Sequence, residues 1–444
     1  MEQVKKLKVV WICHFSNAEI RKRLPLKKKS IDYYIRSVLN RSHKKNQQAD
    51  FAPWVSNGIE ELRRNENIEL HVIAPIGGLK YSSYKFSLEG VYYYFYNPYY
   101  TFYLDYFTRS YKLWNKLQTT SKYVRKFINA INPDIINLIG TENPYYSGSI
   151  LDIFNDDIPI MVSLQTFFTN PDRLNFQPNV DRSVRWFISK SICEKCKYFG
   201  VTGRMHHDLL LNTNPSAISL HLEWCRKTLT EPIVTNKEFD FVNFAVHMSL
   251  KKGFHDSIQA LAFVKKKYPG VKLNLIGNCS VKIKNELISL INSLGLHENV
   301  IFTSFFQQQE EMFRHIQRSR FAVLPCKMDI TSGTMSQAMF YELPLVVYKT
   351  SGTPRFNLKK EAALIAPLND VSALADYMLL LMDNPEKAEK LKRNAKEYIT
   401  QQRDNKKAAD QLIADYHAII DHYNNQTPIP KELLFDIDNN PVYS

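Results

Sequence analysis

Residues 331–334, Thr-Ser-Gly-Thr, stand between a buried apolar strand, Ala322 to Pro325, and a helix that starts near Met335. Small hydroxyl residues and a glycine at that place offer an anion the unpaired backbone N–H groups of a helix start and the positive end of its dipole. Ser332 and Thr334 add hydroxyl donors, and Gly333 lets the backbone come close to a ligand. The chemistry suits a phosphate-bearing ligand; the same residues also suit ordinary capping of the helix. The helix is closed by Glu342-Leu343-Pro344, and a second apolar strand follows from Leu345 to Tyr348.

Taken together, residues 322–356 resemble the donor-site signature of the group 1 (family 4) retaining glycosyltransferases. There, two Glu residues eight positions apart flank a Gly-rich loop, followed by A-M-x-x-G-x-P-V-V and then G-G-x-P-E. This chain has Asp329, then Gln337-Ala338-Met339, then Leu343-Pro344-Leu345-Val346-Val347, then Ser351-Gly352-Thr353-Pro354-Arg355. Asp329 replaces the first Glu and keeps a carboxylate on a shorter arm. Gln337 replaces the second and keeps hydrogen-bonding capacity for a ribose diol without the charge. The match continues upstream in Met248 to Gly270, Leu273 to Gly277 and Leu294 to Phe302. In the family a Lys before a Gly, and an Arg some five residues earlier, clamp the donor diphosphate. Lys252 takes the first place and His247 the second. An imidazole donates to phosphate but is only partly charged near neutral pH.

The resemblance implies an α/β protein of two Rossmann-like domains facing each other across a cleft, the GT-B arrangement. The second domain, 236–400, is expected to bind a nucleotide-sugar through His247, Lys252, Asp329, Thr331, Ser332, Gly333, Thr334 and Gln337. The first, 1–235, is expected to bind the acceptor, with a last helix over 406–424 crossing back onto it. Transfer with retention to a saccharide hydroxyl follows, with Lys252 and the 332–334 loop stabilising charge on the leaving diphosphate. Such a lysine and helix start can substitute for a divalent metal. Neither metal nor cofactor is therefore expected, the nucleotide-sugar being a co-substrate.

In the first domain the residues with chemistry fall on loops just past strands, where open α/β sheets bind ligands. Val9 to Cys13 reads as the first strand, and His14-Phe15-Ser16-Asn17 stands where the family commonly has glycines. Ser16 and Asn17 are therefore candidate acceptor contacts. Pro133 to Gly140 is a buried strand followed by Glu142, the one carboxylate on such a loop with a clear route to the ligand edge. Gln165 follows the strand Ile158 to Leu164, at a place where the family often has a His. A Gln is no general base, but it can orient a hydroxyl. Glu142 and Gln165 join Lys252 as candidate catalytic residues. Arg204, after Val201-Thr202-Gly203, could meet a phosphate or an acidic acceptor, or stand as a plain surface arginine.

The elements that must hold these residues are legible as short apolar runs alternating with helical stretches, the pattern of parallel α/β sheets. A chain of 444 residues predicts two domains. A helix is expected over Ala52 to Arg63, a strand over Ile68 to Pro75, an aromatic insert over 78–128, and a linker over Glu231 to Phe241. The tail after Asn424 reads as loosely held. Six scattered cysteines suit reduced, buried thiols; Cys193-x-x-Cys196, near His206 and His207, is a weak zinc signal.

The formal net charge is +14, and residues 1–50 hold 13 Lys and Arg against 4 Asp and Glu. The basic runs Arg21 to Lys29 and Arg41 to Lys45, with the aromatic stretch 81–114, suit peripheral contact with an anionic membrane face. A solvated basic face beside an aromatic core insert fits as well. No nucleic-acid motif is present, and no nucleic-acid partner is expected. No run reaches the length of a membrane span, and the N-terminus enters a strand without a signal-peptide core. The expected setting is the cytoplasm, at or near the inner membrane face, with a saccharide or lipid-linked saccharide acceptor in bacterial surface polysaccharide synthesis. Two other readings remain: a catalytically inactive glycosyltransferase-like nucleotide-binding or assembly subunit, and a related GT-B phosphorylase or epimerase.

Overall fold

The computed structural model describes residues 5–27, 52–98, 111–154, 157–167, 169–170, 183–226, 231–233, 236–303, 306, 309–328, 333–350, 352–401 and 404–437, with 111–119 described for their backbone alone. The chain divides into two compact units: 1–227 with 404–442, and 228–403 with the last two residues. The break falls ahead of the expected 235, and the strand that opens the second sheet begins at Phe239, inside the expected linker.

Unit one is built on eight strands: β1 (Leu7–Ile12), β2 (Ile68–Pro75), β3 (Ser83–Leu88), β4 (Val91–Tyr96), β5 (Ile135–Ile139), β6 (Ile160–Ser163), β7 (Tyr198–Val201) and β8 (Ile218–His221). Their order is β3-β4-β2-β1-β5-β6-β7-β8. Every described pairing is parallel except β3 with β4. β5 and β6 are buried along their whole length because helices cover both faces. The sequence IINLI therefore carries no alternation. The aromatic stretch resolves in part into the β3–β4 hairpin, joined at Glu89-Gly90, both with φ in the left-handed region. Phe86 stacks on Tyr93 across it, with ring centroids 5.2 Å apart.

The helix Asn405–Asn425 belongs to unit one. Tyr416 on that helix is fully buried, and its hydroxyl accepts from the Trp11 indole N–H at 2.8 Å and from the Asn137 amide at 2.7 Å. Asn137 in turn accepts from the Ser163 hydroxyl at 2.8 Å. A buried polar chain thus links β1, β5 and β6 to the last helix, each group satisfied by the next. The tail beyond the helix is not loose over its described part. Leu434 bridges to Leu220, the Phe435 N–H donates to the Ser219 carbonyl at 2.9 Å, and Phe435 is buried against His207. The apolar residues at 433–435 give it a place on the β8 edge that Asn and Pro content alone does not reveal.

Unit two is a six-stranded parallel sheet: β9 (Phe239–His247), β10 (Leu273–Asn278), β11 (Val300–Thr303), β12 (Ser319–Val323), β13 (Leu345–Tyr348) and β14 (Leu364–Ala366). The order β11-β10-β9-β12-β13-β14 is that of a nucleotide-binding Rossmann sheet, which reverses direction between its first and fourth strands. The reversal lies between β9 and β12. The corresponding reversal in unit one lies between β1 and β5.

Candidate functional site

In unit two the loops after β9 and β12 meet at the reversal. Gly253 has φ +71°, and a Cβ there would overlap the Pro325 carbonyl, so only glycine lets the two loops touch. The Lys327 N–H donates to the Lys251 carbonyl at 2.9 Å, and the Lys252 ammonium donates to the Cys326 thiol at 3.6 Å. Lys252 ends a short 3₁₀ turn, Leu250–Lys252, and is half-buried. His247 lies exposed at the end of β9.

A second layer fixes this junction. Lys327 Nζ pairs with Asp256 Oδ2 at 2.9 Å, and the Tyr348 hydroxyl donates to the same oxygen at 2.8 Å. Asp256 is buried in the first turn of the helix Phe254–Lys267, whose Ser257 hydroxyl takes a hydrogen bond from Asn243 at 2.8 Å. Burial, with the neighbouring carboxylate, pushes the Tyr348 phenol up, so it stays a donor. Three strand ends, β9, β12 and β13, are thereby tied through one carboxylate.

The helix expected near Met335 begins two residues earlier and spans Gly333–Phe340. Gly333 is exposed at its first position, and Thr334 and Gln337 are half-buried. Asp329, Thr331 and Ser332 lie outside the described residues. In the turn after β13, the Thr353 hydroxyl donates to the Tyr348 carbonyl at 2.8 Å and accepts from the Thr350 N–H at 2.9 Å. Arg355, where the family pattern has Glu, donates to the Tyr398 hydroxyl at 3.0 Å.

In unit one the loops after β5 and β6 bring Glu142 and Gln165 together. With the Gln165 amide turned to satisfy both neighbours, its nitrogen donates to Glu142 Oε1 at 2.9 Å and its oxygen accepts from Trp54 Nε1 at 3.1 Å. Trp54, in the first turn of the helix Pro53–Leu62, carried no signal in the sequence beyond being aromatic. Gly140, φ +83°, ends β5 so tightly that a Cβ would lie 2.6 and 2.7 Å from the two Glu142 carboxylate oxygens. The Tyr146 hydroxyl, 2.9 Å from that same point, donates to the Ile139 carbonyl. Burial first, and Glu142 second, push its phenol well up.

Ser16, Asn17 and Arg204 are engaged locally. The Asn17 side chain caps the helix Ala18–Arg23 through the Ile20 N–H at 2.9 Å. Arg21 donates to both the carbonyl and the hydroxyl of Ser16 at 3.0 Å. Arg204 pairs with Asp208 one turn along its own helix at 2.6 Å. These are structural tasks that the residue types alone do not separate from ligand contacts. Cys193 and Cys196 are buried, and the Asn214 amide binds both of their carbonyls. No helix among the described residues is long and apolar enough to cross a membrane.

With this geometry in view, the comparisons with solved structures give the class: the fold is that of the GT-B glycosyltransferases. The sucrose-phosphate synthase of Thermosynechococcus elongatus superposes with a TM-score of 0.65 at 13% identity, over 93% of this chain and 98% of that one. The α,α-trehalose 6-phosphate synthase of Burkholderia multivorans gives 0.63 at 11% identity, over 94% and 99%. Anabaena HepE, solved with UDP and glucose, gives 0.59 at 12%, over 93% and 99%. Residues 226–398 match the family described as Glycosyl transferases group 1. No curated protein matches the sequence.

Proposed function

We propose that the protein is a retaining hexosyltransferase that moves a sugar from a nucleotide-sugar held by unit two to a saccharide hydroxyl. The observation that carries this reading is the junction at the β9–β12 reversal, where Lys252 is held beside Cys326 on the carboxyl edge of a Rossmann sheet. Ligands of such sheets bind at that reversal. Lys252 and the start of the helix Gly333–Phe340 supply the positive charge a leaving diphosphate needs, without a metal. His247 donates to the same phosphates, Gln337 holds the ribose, and Asp329 with Thr331, Ser332 and Thr334 meets the sugar and the β-phosphate. HepE was solved with UDP and glucose, which supports a nucleotide of the same kind here.

The acceptor in this reading is a lipid-linked saccharide of a bacterial surface polysaccharide pathway. The basic composition of residues 1–50 supports contact with an anionic membrane face; much of that basic segment lies outside the described residues.

Thermal unfolding with a panel of UDP-, GDP-, dTDP- and CMP-sugars, with and without magnesium, tests the donor site. Binding to the folded state alone raises the melting temperature. One nucleotide class should shift the transition independently of metal, and Lys252→Ala should abolish the shift. No shift with any nucleotide refutes the donor site. A shift without sugar transfer to any saccharide favours the inactive, nucleotide-binding alternative.

A further inference from the structure

We propose that Trp54, Gln165 and Glu142 form a pyranoside subsite in unit one, with the Trp54 ring as the platform on which a sugar stacks. The proposal rests on the glycosyl-transfer reading above and names the chemistry that its acceptor side requires.

Trp54 is 38% exposed although its indole N–H is engaged by Gln165. An indole held by its polar edge keeps its orientation while its faces stay available for contact. A pyranose ring has a face of C–H groups that suits an aromatic plane, and a rim of hydroxyls that needs acceptors and donors nearby. The Gln165 amide and the Glu142 carboxylate, 2.9 Å apart, supply both, and the Gln165 oxygen is itself 3.1 Å from the indole nitrogen. An aromatic body with a small number of fixed polar groups is the make-up of a small-molecule site.

The three residues come from three separate loops: the helix start before β2, the loop after β5 and the loop after β6. Their convergence is enforced from below. Gly140 leaves no room beneath the Glu142 carboxylate. The Trp54 helix is held from beneath at Gly58, whose missing side chain admits the Trp11 ring; a Cβ would lie 2.7 Å from it. A fixed carboxylate–amide pair orients a hydroxyl with little loss of side-chain entropy on binding. Trp54 is in this account a positioning and specificity residue, and it takes no part in bond making.

The test uses the full chain labelled with 5-fluorotryptophan, the residue-54 resonance being assigned by its loss in Trp54→Phe. The probes are the methyl α-glycosides of glucose, galactose, mannose and N-acetylglucosamine. At least one should shift the residue-54 resonance. The apparent Kd of that probe, read by titration calorimetry because both variants lack the residue-54 resonance, should rise about tenfold in Trp54→Ala, the scale of one lost aromatic stacking contact. Trp54→Phe keeps a ring and should weaken binding less. A thermal transition retained by both variants shows that they fold, and a retained nucleotide shift shows that the donor site is intact. If none of the four probes moves the resonance, or if a probe binds Trp54→Ala as tightly as the native protein, the subsite is refuted while the donor reading stands. Loss of nucleotide binding in the native chain refutes the donor reading instead.

Discussion

Gly253 and Pro325, 72 positions apart in the chain, touch backbone to backbone, and no side chain fits between them. The contact joins the loop that carries Lys252 to the loop that leads into the helix Gly333–Phe340. Gly253→Ala brings two costs at once: a left-handed φ of +71° for a residue with a Cβ, and an overlap with the Pro325 carbonyl. The expected loss is about 2–4 kcal/mol of stability in unit two, read by chemical denaturation. Nucleotide affinity should fall with it, because the loops that hold Lys252 and Lys327 must part. A variant with native stability would mean that the two loops are not packed as described.

The polar chain on Tyr416 predicts a different kind of loss. Tyr416→Phe removes one oxygen and leaves two buried donors, the Trp11 indole and the Asn137 amide, without their acceptor. A buried donor left unsatisfied costs about 1–3 kcal/mol, so a loss of about 2–4 kcal/mol is expected for unit one. Calorimetry of the full chain checks it, and the nucleotide-induced shift of unit two should persist. A change under about 0.5 kcal/mol would show that water or a rearranged side chain replaces the phenol oxygen.

Much of this frame is legible in the sequence because parallel strands buried on both faces leave continuous apolar runs. Ile68–Pro75 and Leu345–Tyr348 can be read to the residue. The last helix is equally clear from apolar residues at helical spacing such as Leu412, Tyr416 and Ile419. The β3–β4 hairpin hides within the aromatic stretch, since Tyr and Phe occur on both of its faces and blur the period of two. In the site, Glu142 and Gln165 can be named from their places after strands, but their pairing is tertiary. Trp54 reaches Gln165 from a position 111 residues earlier, and nothing local marks it. Asn17 and Arg204 have local contacts that their places in the sequence do not announce: a helix cap and an ion pair one helical turn along.

Asp415 predicts a pH dependence of stability. It is fully buried beside Tyr416; its Oδ1 accepts from Gln411 at 3.1 Å, and its Oδ2 has no hydrogen-bond partner among the described residues. Burial raises its carboxyl from the ordinary 3.8 to about 7, against a smaller opposing effect of the Gln411 hydrogen bond. Between those two values the folded protein keeps a proton that the unfolded chain has released. Stability therefore falls as pH rises through that window and levels off above about 7. Asp415→Asn removes the titration and keeps the shape. The difference between variant and native protein isolates this group from the buried histidines, which titrate alike in both. It should be near zero at about pH 4, grow in favour of the variant through about pH 5 and 6, and reach a plateau above about 7. At about 1.4 kcal/mol for each pH unit between the folded and unfolded values, the plateau is at most about 4 kcal/mol. Urea denaturation of both proteins across this range measures the curve. A difference that does not change with pH would mean that Asp415 is ionised in the folded protein throughout, with a partner that its surroundings in the helix Asn405–Asn425 do not supply.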